Sequence, residues 1–536
     1  MNILGDSRML RWLLLVVLAS QSTRGDIFSS TAHLQNLLHL ERHLVTTLHE
    51  YIERTESKIN QVKRYLNLFY HSYEEVLEEK LPAGDDEMVG NPLQAFQLVR
   101  RLAVDWEGVR KAVDTDDWKP IRRLVRDYDH LLPHNDDLQG AALALVRLQD
   151  TYKLNMTDVA RGDILGLPQG TTLSARDLLY LGKQSFNAGY YAHAIRWLEE
   201  ALSQAHLEGN RTASTAEVMA FYTSAVDMHD KLFERTDLDV ADYDTFGHPL
   251  KGGNASAVLS GGRKVKDVVL GQNIPLQDEQ NNYMALCRGE RLMSLAEESK
   301  LKCRLDDRGR HPYLLLRPLK VEERGLRPYV VQFHDLLTDG QTDMLRQIAE
   351  PKLSRSMVQA EHGSEVVSVS RTSQNAWVGP KDHPLMESTY RLVEAVTGLS
   401  TDVDREHAEV VQIANYGMGG HYTPHYDYLL VDKKPEDLQF VHPKELDAGD
   451  RTATLMFYLS DVTRGGATVF PKVGASVWPK KGSAVFWYNL KLSGTEDSMT
   501  LHGACPVAIG SKWVANFWIR EKGQVFRRRC ALNPES

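Results

Sequence analysis

The sequence predicts an α+β multi-domain protein, in which all-helical N-terminal regions precede a strand-rich C-terminal domain. Apolar residues recur at helical spacing from Leu34 onward, and after Tyr329 the pattern changes to short runs rich in β-branched and aromatic residues. A chain of 536 residues is also too long for one ordinary domain. We expect about three domains, with the strands arranged as an antiparallel sandwich or barrel.

The charge composition argues against nucleic-acid binding. The chain has 63 basic and 72 acidic residues, a formal net charge of -9, and no block rich in lysine or arginine. Proteins that bind nucleic acids concentrate positive charge on one surface or in one segment. We interpret the net charge here as a contribution to solubility.

The first 25 residues are predicted to be a cleaved signal peptide. Arg8 and Arg11 precede the apolar run from Trp12 to Leu18, and small and polar residues follow up to Gly25. A membrane-spanning helix needs about 20 apolar residues, which is far more than this run provides. We therefore expect a lumenal or secreted chain without a membrane anchor.

Sequons and cysteines fit an oxidising compartment. Three N-glycosylation sequons begin at Asn155, Asn210 and Asn254. The four cysteines fall into two pairs of near neighbours, Cys287 with Cys303 and Cys505 with Cys530. Four cysteines allow three connectivities, of which we expect this local one; the alternative is buried free thiols.

An apolar heptad pattern extends from Leu34 to Phe69 and predicts a long helix. The a and d positions are Leu34, Leu37, Glu41, Leu44, Leu48, Tyr51, Thr55, Lys58, Val62, Tyr65 and Phe69. This seam is interpreted either as a dimerisation element or as the buried face of a helix that packs on its own domain. A second helix is predicted to begin after Asn91 as N-cap, with Pro92 at its first position.

A single tetratricopeptide-like (TPR-like) pattern lies between Leu178 and Leu202. Its positions are Leu181, Gly182, Ala194, Leu198 and Ala201, and a second copy 34 residues later is degenerate. One repeat cannot bury its own apolar face, so neighbouring helices are required. The aromatic residues of this region either line a peptide-binding groove or belong to the core. They are Tyr190, Tyr191, Trp197, Phe221 and Tyr222.

The segment 236–280 is rich in Gly, Asp and Ser and is predicted to be a loop or linker. Beyond it, two supporting helices are expected at 339–348 and 384–397. The predicted strands lie at 329–333, 410–416, 454–459, 467–470, 484–488 and 513–519.

The candidate chemistry lies in the tripeptide His425-Tyr426-Asp427 and in His502, 75 residues later. Residues two apart on a strand point to the same face, so one imidazole and one carboxylate can reach the same metal ion. Two histidines and one carboxylate bound facially leave open positions, which is the geometry of non-haem iron(II) oxygenases. Zinc would usually be held by a closed four-ligand set or by three ligands and a water. From spacing alone, structural histidines remain the alternative.

Three longer motifs carry a resemblance to a known family. They are Ala414–Tyr428 (ANYGMGGHYTPHYDY), Gly465–Pro471 with Trp478–Gly482, and His502–Val507 with Gly510–Trp513. Their sequence and order resemble the collagen prolyl 4-hydroxylase α subunits, from about Ile27 to the C-terminus.

The resemblance implies a role for each candidate site residue. His425, Asp427 and His502 would bind Fe(II), and Lys512 would pair with the remote carboxylate of 2-oxoglutarate. Tyr416 and Thr454 would complete that carboxylate site as hydroxyl donors, or else line the barrel core. Candidates for peptide contact are Tyr190, Tyr191, Arg371 and Trp518, for which packing is the alternative.

The resemblance also implies the reaction and the architecture. Proline in X-Pro-Gly collagen-like peptides would be hydroxylated at C4, with O2 as co-substrate, decarboxylation of 2-oxoglutarate to succinate, and ascorbate to restore oxidised iron. The implied domains are a helical dimerisation region at 26–140, a TPR-like peptide-binding domain at 141–240, a linker with a disulfide-bonded segment at 241–328, and a double-stranded β-helix (jelly-roll) at 329–536. Two α subunits would assemble with two protein disulfide isomerase subunits. The C-terminal Asn533–Ser536 is no retrieval signal, so retention in the endoplasmic reticulum would depend on that partner.

Two alternatives stay open. A lysyl hydroxylase or an oxygen-sensing prolyl hydroxylase shares the iron ligands, but these families typically have arginine at the position of Lys512 and lack the helical regions. A non-catalytic collagen-binding subunit would be expected to have lost a ligand or that lysine, and all four residues are present here.

Overall fold

A computed structural model describes residues 27–52, 59–78, 89–113, 126–129, 132–233, 275–356, 358–359, 365–366, 370–430 and 441–533. The predicted signal peptide, the sequon at Asn254 and most of the predicted loop 236–280 lie outside these residues. Within them, no helix is both long enough and apolar enough to cross a bilayer.

The N-terminal half is helical, as predicted. Its helices are α1 (Thr31–Ile52), α2 (Ile59–Glu78), α3 (Pro92–Arg100), α4 (Trp106–Val113), α5 (Asn135–Tyr152), α6 (Met156–Ala160), α7 (Ala175–Asn187), α8 (Tyr191–Leu207) and α9 (Thr215–Phe233). Two short strands, β1 (Asp163–Ile164) and β2 (Leu167–Pro168), form a hairpin between α6 and α7. The predicted start of α3 is confirmed, because the side chain of Asn91 accepts hydrogen bonds from the backbone N–H groups of Leu93 and Gln94.

The apolar seam of α1 and α2 is buried within the chain itself. The Tyr65 hydroxyl donates to Glu41 Oε1 over 3.1 Å, and Arg101 Nε donates to the same oxygen over 2.8 Å. A straight helix would place Glu41 and Tyr65 about 36 Å apart, so α1 and α2 fold back on each other and the prediction of one long helix is wrong. Seven seam residues belong to the buried core of the helical region: Leu34, Leu37, Leu44, Leu48, Val62, Tyr65 and Phe69. Thr55 and Lys58 lie outside the described residues.

Helices α7 and α8 form a tightly packed pair. All five residues of the repeat pattern are buried, and a Cβ at Gly182 would come within 2.7 Å of Leu198 Cγ. Glycine at this position therefore allows the two helices to approach closely. Of the aromatic residues, Trp197 is buried in the helical core, whereas Phe221 is exposed beneath the ammonium of Lys183.

The C-terminal half is built on antiparallel strands, as predicted. The largest sheet has the order β3-β4-β5-β16-β12-β19-β10-β9-β6, and a second sheet has the order β11-β17-β14-β15. The large sheet contains β3 (Cys303–Asp306), β4 (Leu319–Leu326), β5 (Tyr329–His334), β6 (Ser354–Arg355), β9 (Gln374–Val378), β10 (Val411–Tyr416), β12 (Arg451–Tyr458), β16 (Ala484–Tyr488) and β19 (Lys512–Arg520). The small sheet contains β11 (Tyr422–His425), β14 (Thr468–Phe470), β15 (Ala475–Val477) and β17 (His502–Ala504). Strands β3 and β4 extend the sheet into the range predicted as linker.

The remaining elements flank these sheets. Two strand pairs stand apart, β7 (Val358–Gln359) with β8 (Glu365–Val366) and β13 (Val462–Gly465) with β18 (Val507–Gly510). The helices are α10 (Pro275–Cys287), α11 (Leu295–Glu298), α12 (Asp339–Ala349), α13 (Pro384–Thr397) and α14 (Pro443–Ala448). The two predicted supporting helices are confirmed as α12 and α13.

Alternation along the central strands creates two cores. On β12, Leu455 and Phe457 pack against α12 and α13, whereas Met456 and Tyr458 face the small sheet. The face of β12 that carries Met456 and Tyr458 lies between the two sheets, and the candidate site residues converge there.

Candidate active site

His425, Asp427 and His502 meet where the small sheet opens. His425 ends β11 and is the direct cross-strand partner of His502, which begins β17. One carboxylate oxygen of Asp427 lies 3.9 Å from His425 Nε2 and the other lies 3.8 Å from His502 Nε2. One potential ligand atom from each residue falls within 4.8 Å of the others. The three groups therefore enclose a position that a single ion can occupy.

Backbone carbonyls orient both imidazoles. His425 Nδ1 lies 2.8 Å from the carbonyl oxygen of Thr423, and His502 Nδ1 lies 3.0 Å from that of Thr500. An Nδ1–H that donates to a carbonyl leaves Nε2 as the free lone pair, which is the usual arrangement of metal-binding histidines. The second ring nitrogen of each residue thus points its lone pair toward Asp427.

Asp427 is held by a chain of buried hydrogen bonds. Thr454 Oγ1 donates to Asp427 Oδ2 over 2.7 Å, and Asn489 Nδ2 donates to Thr454 Oγ1 over 3.0 Å. Thr454 therefore supports the metal ligand instead of facing the ammonium of Lys512, which differs from the expectation drawn from the resemblance. The role of Asn489 was not predicted, since it lies outside the motifs.

The environment favours the protonation states that bind a metal. Burial, with the neighbouring His502 adding to it, lowers the pKa of His425 to about 3, so this imidazole is neutral. Burial opposes the charged form of Asp427, but His502, His425 and Arg451 outweigh it and the pKa of Asp427 is lowered. A neutral imidazole and an ionised carboxylate are ready to act as ligands.

Lys512 is a buried cation at one end of the same cavity, where β19 begins. Its side chain is 1% exposed. Its ammonium lies 3.3 Å from Thr468 Oγ1 and 5.6 and 5.7 Å from the ring centroids of Tyr416 and Tyr458. No carboxylate within the described part of the chain forms an ion pair with it. Burial alone lowers the pKa of Lys512 to about 7. A buried cation in this setting is suited to bind an anionic ligand, because the ligand would supply the negative charge that pairs with it.

The hydroxyl beside Lys512 belongs to Thr468, which sequence reasoning missed. Thr468 Oγ1 accepts a hydrogen bond from the Tyr458 hydroxyl over 2.9 Å as well as from Lys512. The sequence did contain a signal for Thr468, because this residue lies within the motif Gly465–Pro471. Tyr416 lines the cavity as expected.

Arg371 and Trp518 line the same cavity at its other end. The Arg371 guanidinium donates to Gln412 Oε1 over 2.7 Å and lies 4.9 Å from the centroid of the Tyr422 ring. The Trp518 ring is covered by the Arg451 guanidinium at 3.8 Å. The cavity is lined by Arg371, Gln412, Tyr416, Tyr422, His425, Asp427, Met456, Thr468, Trp487, His502, Gly503, Ala504, Lys512, Val514, Asn516 and Trp518. Tyr190 and Tyr191 are not among these residues.

The disulfide connectivity differs from the prediction. Cys287 is bonded to Cys505, at a sequence separation of 218, while Cys303 and Cys530 are exposed free thiols. The reason is tertiary packing: α10 lies against β17, where the buried Tyr283 hydroxyl donates to the carbonyl of Ala504 over 2.9 Å. The end of α10 therefore reaches the residue that follows β17, and the local pairing is wrong.

Two sequons lie among the described residues, and both asparagines are exposed. Asn155 caps α6 and accepts hydrogen bonds from the N–H groups of Thr157 and Asp158. Asn210 Oδ1 accepts a hydrogen bond from the N–H of Thr215. Both side chains are accessible at the surface of the helical half.

Comparison with known proteins agrees with this geometry. Residues 411–520, which contain all four candidate residues, match the 2OG-Fe(II) oxygenase superfamily. Residues 30–166 match the N-terminal region of the prolyl 4-hydroxylase alpha-subunit. The C-terminal domain and its site thus define a 2-oxoglutarate-dependent Fe(II) dioxygenase.

Relatives extend the match to nearly the whole chain. Prolyl 4-hydroxylase subunit alpha-1 of Rattus norvegicus is 35% identical over 97% of this chain and 98% of its own. Subunit alpha-2 of Caenorhabditis elegans is 33% identical over 98% of this chain and 97% of its own. A viral collagen prolyl hydroxylase from Paramecium Bursaria Chlorella virus-1, solved with 2OG, is 27% identical over 36% of this chain and 95% of that one, with a TM-score of 0.28. The chain belongs to the prolyl 4-hydroxylase α-subunit family.

Proposed function

We propose that this chain hydroxylates proline at C4 in X-Pro-Gly collagen-like peptides, with His425, Asp427 and His502 as ligands of Fe(II) and Lys512 as the anchor of 2-oxoglutarate. The observation that carries the proposal is one cavity lined both by these three residues and by a buried ammonium, for which the described residues provide no carboxylate partner. The donor set of two imidazoles and one carboxylate suits a facial Fe(II) site with open positions. When bound, the metal supplies the oxidative chemistry.

The chain's own residues orient the reactants and exclude water. Lys512 pairs with the remote carboxylate of 2-oxoglutarate, and Thr468 and Tyr416 supply neighbouring polar groups. Thr454 and Asn489 keep the Asp427 carboxylate turned toward the two imidazoles. Because the cavity wall is largely buried, these charge interactions act in a low-dielectric environment, where they are stronger than in water.

The peptide is proposed to enter beside Arg371 and Trp518, which lie at the end of the cavity away from Lys512. The α7–α8 helix pair, with Tyr190 and Tyr191 at the start of α8, is proposed as a TPR-like module that binds a more distant part of the same substrate. Tyr191 packs on Phe186 and is largely buried, so Tyr190 is the more accessible of the two. The strand-rich domain is proposed to be a double-stranded β-helix. The domain limits predicted from the sequence are retained, except that β3 and β4 join the sheet of this domain.

The cellular setting is also a proposal. The signal peptide, the sequons at Asn155, Asn210 and Asn254, and the disulfide support entry into the endoplasmic reticulum. Protein disulfide isomerase is proposed as the second subunit of an α2β2 tetramer, and ascorbate as the reductant that restores oxidised iron. Self-association through the N-terminal helices would have to use a surface other than the seam between α1 and α2.

The test is a coupled assay of the chain co-expressed with protein disulfide isomerase. A (Pro-Pro-Gly) repeat peptide, Fe(II), O2 and 2-oxoglutarate are supplied, and succinate and 4-hydroxyproline are both measured. We expect one succinate for each hydroxyproline. A matched peptide with lysine at the X-Lys-Gly position is the control, and hydroxylation of that peptide instead of the proline peptide would assign the chain to the lysyl hydroxylases.

A further inference from the structure

The segment before α1 is buried against the strand-rich domain. Ser29, Ser30 and Thr31 are at most 3% exposed, although they lie near the start of the described chain. They contact the ends of β10 and β19, the two strands that carry Tyr416 and Lys512. This contact joins the N-terminal region to the part of the sheet that places Tyr416 and Lys512 in the cavity wall.

A closed ring of hydrogen bonds forms this contact. Asn415 Nδ2 donates to Ser511 Oγ over 3.0 Å, Ser511 Oγ lies 2.5 Å from Thr31 Oγ1, and Thr31 Oγ1 donates to Asn415 Oδ1 over 3.1 Å. Asn415 Oδ1 also accepts hydrogen bonds from Ser30 Oγ over 2.8 Å and from the backbone N–H of Thr31 over 2.9 Å. Asn415 is 0% exposed, and the three bonds that its Oδ1 accepts are buried, whereas the two bonds made by Ser511 are partly buried. Buried polar groups satisfied in this way specify one arrangement of their neighbours.

The ring lies directly behind the residues that face the cavity. Asn415 precedes Tyr416 and Ser511 precedes Lys512, and Tyr416 and Lys512 are cross-strand partners. Successive side chains of a strand point to opposite faces, so Asn415 turns away from the cavity when Tyr416 turns into it. A hydrogen bond between Asn415 and Ser511 therefore fixes the relative position of the two strand ends that hold Tyr416 and Lys512.

The chain at Gly417 is shaped to accept this segment. The Gly417 N–H donates to the carbonyl of Ser29 over 3.0 Å, and a Cβ at Gly417 would come within 2.8 Å of the carbonyl oxygen of Phe28. Any other residue would push the segment away. The absence of a side chain at Gly417 therefore allows the backbone of the N-terminal segment to approach it closely.

We propose that residues 28–31 form a clasp that positions Tyr416 and Lys512 for the remote carboxylate of 2-oxoglutarate. Ser30, Thr31 and Asn415 are positioning residues, because they act through the backbone of their neighbours and touch no reactant. The inference rests on the proposed function in one respect, namely that Lys512 binds this co-substrate. It assigns to the N-terminal region a part in co-substrate affinity.

The test compares 2-oxoglutarate binding by the full mature chain and its variants, using calorimetry with Mn(II) in place of Fe(II) so that no turnover occurs. Thr31→Val removes two links of the ring and keeps the shape of the side chain. Thr31→Ser restores the hydroxyl, and Thr46→Val is the control for an exposed threonine on the same helix, whose hydroxyl donates only to the carbonyl of Arg42. Ser30→Ala serves as an independent variant should Thr31→Val not fold.

We expect the dissociation constant of 2-oxoglutarate to rise about three- to tenfold in Ser30→Ala, the range expected for one lost hydrogen bond, and at least as much in Thr31→Val, which loses two. Thr31→Ser and Thr46→Val should bind like the parent, and Mn(II) affinity should be equal in all variants. A lower melting temperature with unchanged 2-oxoglutarate affinity would show a merely structural contact and overturn the clasp. If the parent itself does not bind 2-oxoglutarate, the proposed function fails; if the parent binds and the variants match it, only the clasp fails.

Discussion

Replacing Lys512 by methionine should separate co-substrate binding from folding. Methionine has a similar length and no charge, so it fills the same space while removing the ion pair proposed for the 2-oxoglutarate carboxylate. Removing one partner of a buried charge pair costs about 2 to 5 kcal/mol, which corresponds to an increase of about 30- to 5,000-fold in the dissociation constant of 2-oxoglutarate. Metal affinity should change little, because Lys512 is not one of the three proposed ligands.

The same substitution should stabilise the protein in the absence of co-substrate. Burial lowers the pKa of Lys512 from its usual 10.5 to about 7. A shift of one pKa unit corresponds to about 1.4 kcal/mol. Keeping the charged form of Lys512 buried therefore lowers the free energy of unfolding by on the order of 5 kcal/mol at pH 6. The unfolded chain holds this proton up to about pH 10.5, so the cost is full below pH 7 and shrinks as the pH rises from 7 to 10.5.

The assay is therefore a pair of measurements on Lys512→Met and on Lys444→Met, an exposed lysine of the same domain that serves as control. Calorimetry gives the 2-oxoglutarate affinity, and thermal unfolding at pH 6 and pH 9 gives the stability without co-substrate. We expect Lys512→Met to lose affinity and to melt above the parent, with a larger difference at pH 6. Unchanged affinity, or a melting temperature well below that of the parent at both pH values, would refute the reasoning.

Three further predictions concern other parts of the site. The 2-oxoglutarate affinity of the parent should fall as the pH rises from about 7 to 9, by up to about tenfold per unit, because the free Lys512 ammonium deprotonates there; a flat affinity profile would contradict this. Thr454→Val should weaken Fe(II) binding by about tenfold, because Asp427 loses the hydrogen bond that the Thr454 hydroxyl donates. Thr454→Ser keeps a hydroxyl and should bind Fe(II) like the parent. Equal Fe(II) affinity in the two variants would show that Thr454 does not support Asp427. Alkylation without reduction, followed by peptide mapping, should modify Cys303 and Cys530 and no other cysteine, and protection of either thiol would argue for the local pairing instead.

Local sequence patterns predicted the elements well. The strand expected at 484–488 and the helix expected at 384–397 were found with those bounds. In both cases the periodicity of the chain and its turn residues are sufficient signals. The cluster of His425, Asp427 and His502 was predicted for a similar reason, since the spacing of His425 and Asp427 and the motif around His502 are properties of short stretches.

Contacts between distant segments were not predictable in this way. The bond between Cys287 and Cys505 depends on where α10 packs, and no local pattern encodes that position. The fold-back of α1 onto α2 likewise brings Glu41 of α1 against Tyr65 of α2, a contact that a heptad pattern does not reveal. Thr454 was assigned to the wrong end of the cavity, because alternation along a strand shows which face a hydroxyl occupies but not which partner it meets.

The most direct test of the account is an anaerobic Fe(II) titration of the mature chain and of Asp427→Ala, with Lys512→Met as a variant that alters the cavity without altering the ligands. We predict one tightly bound Fe(II) in the parent and in Lys512→Met, and none at the same concentrations in Asp427→Ala. Equal binding of Fe(II) by the parent and by Asp427→Ala would contradict the claim that His425, Asp427 and His502 together hold the metal.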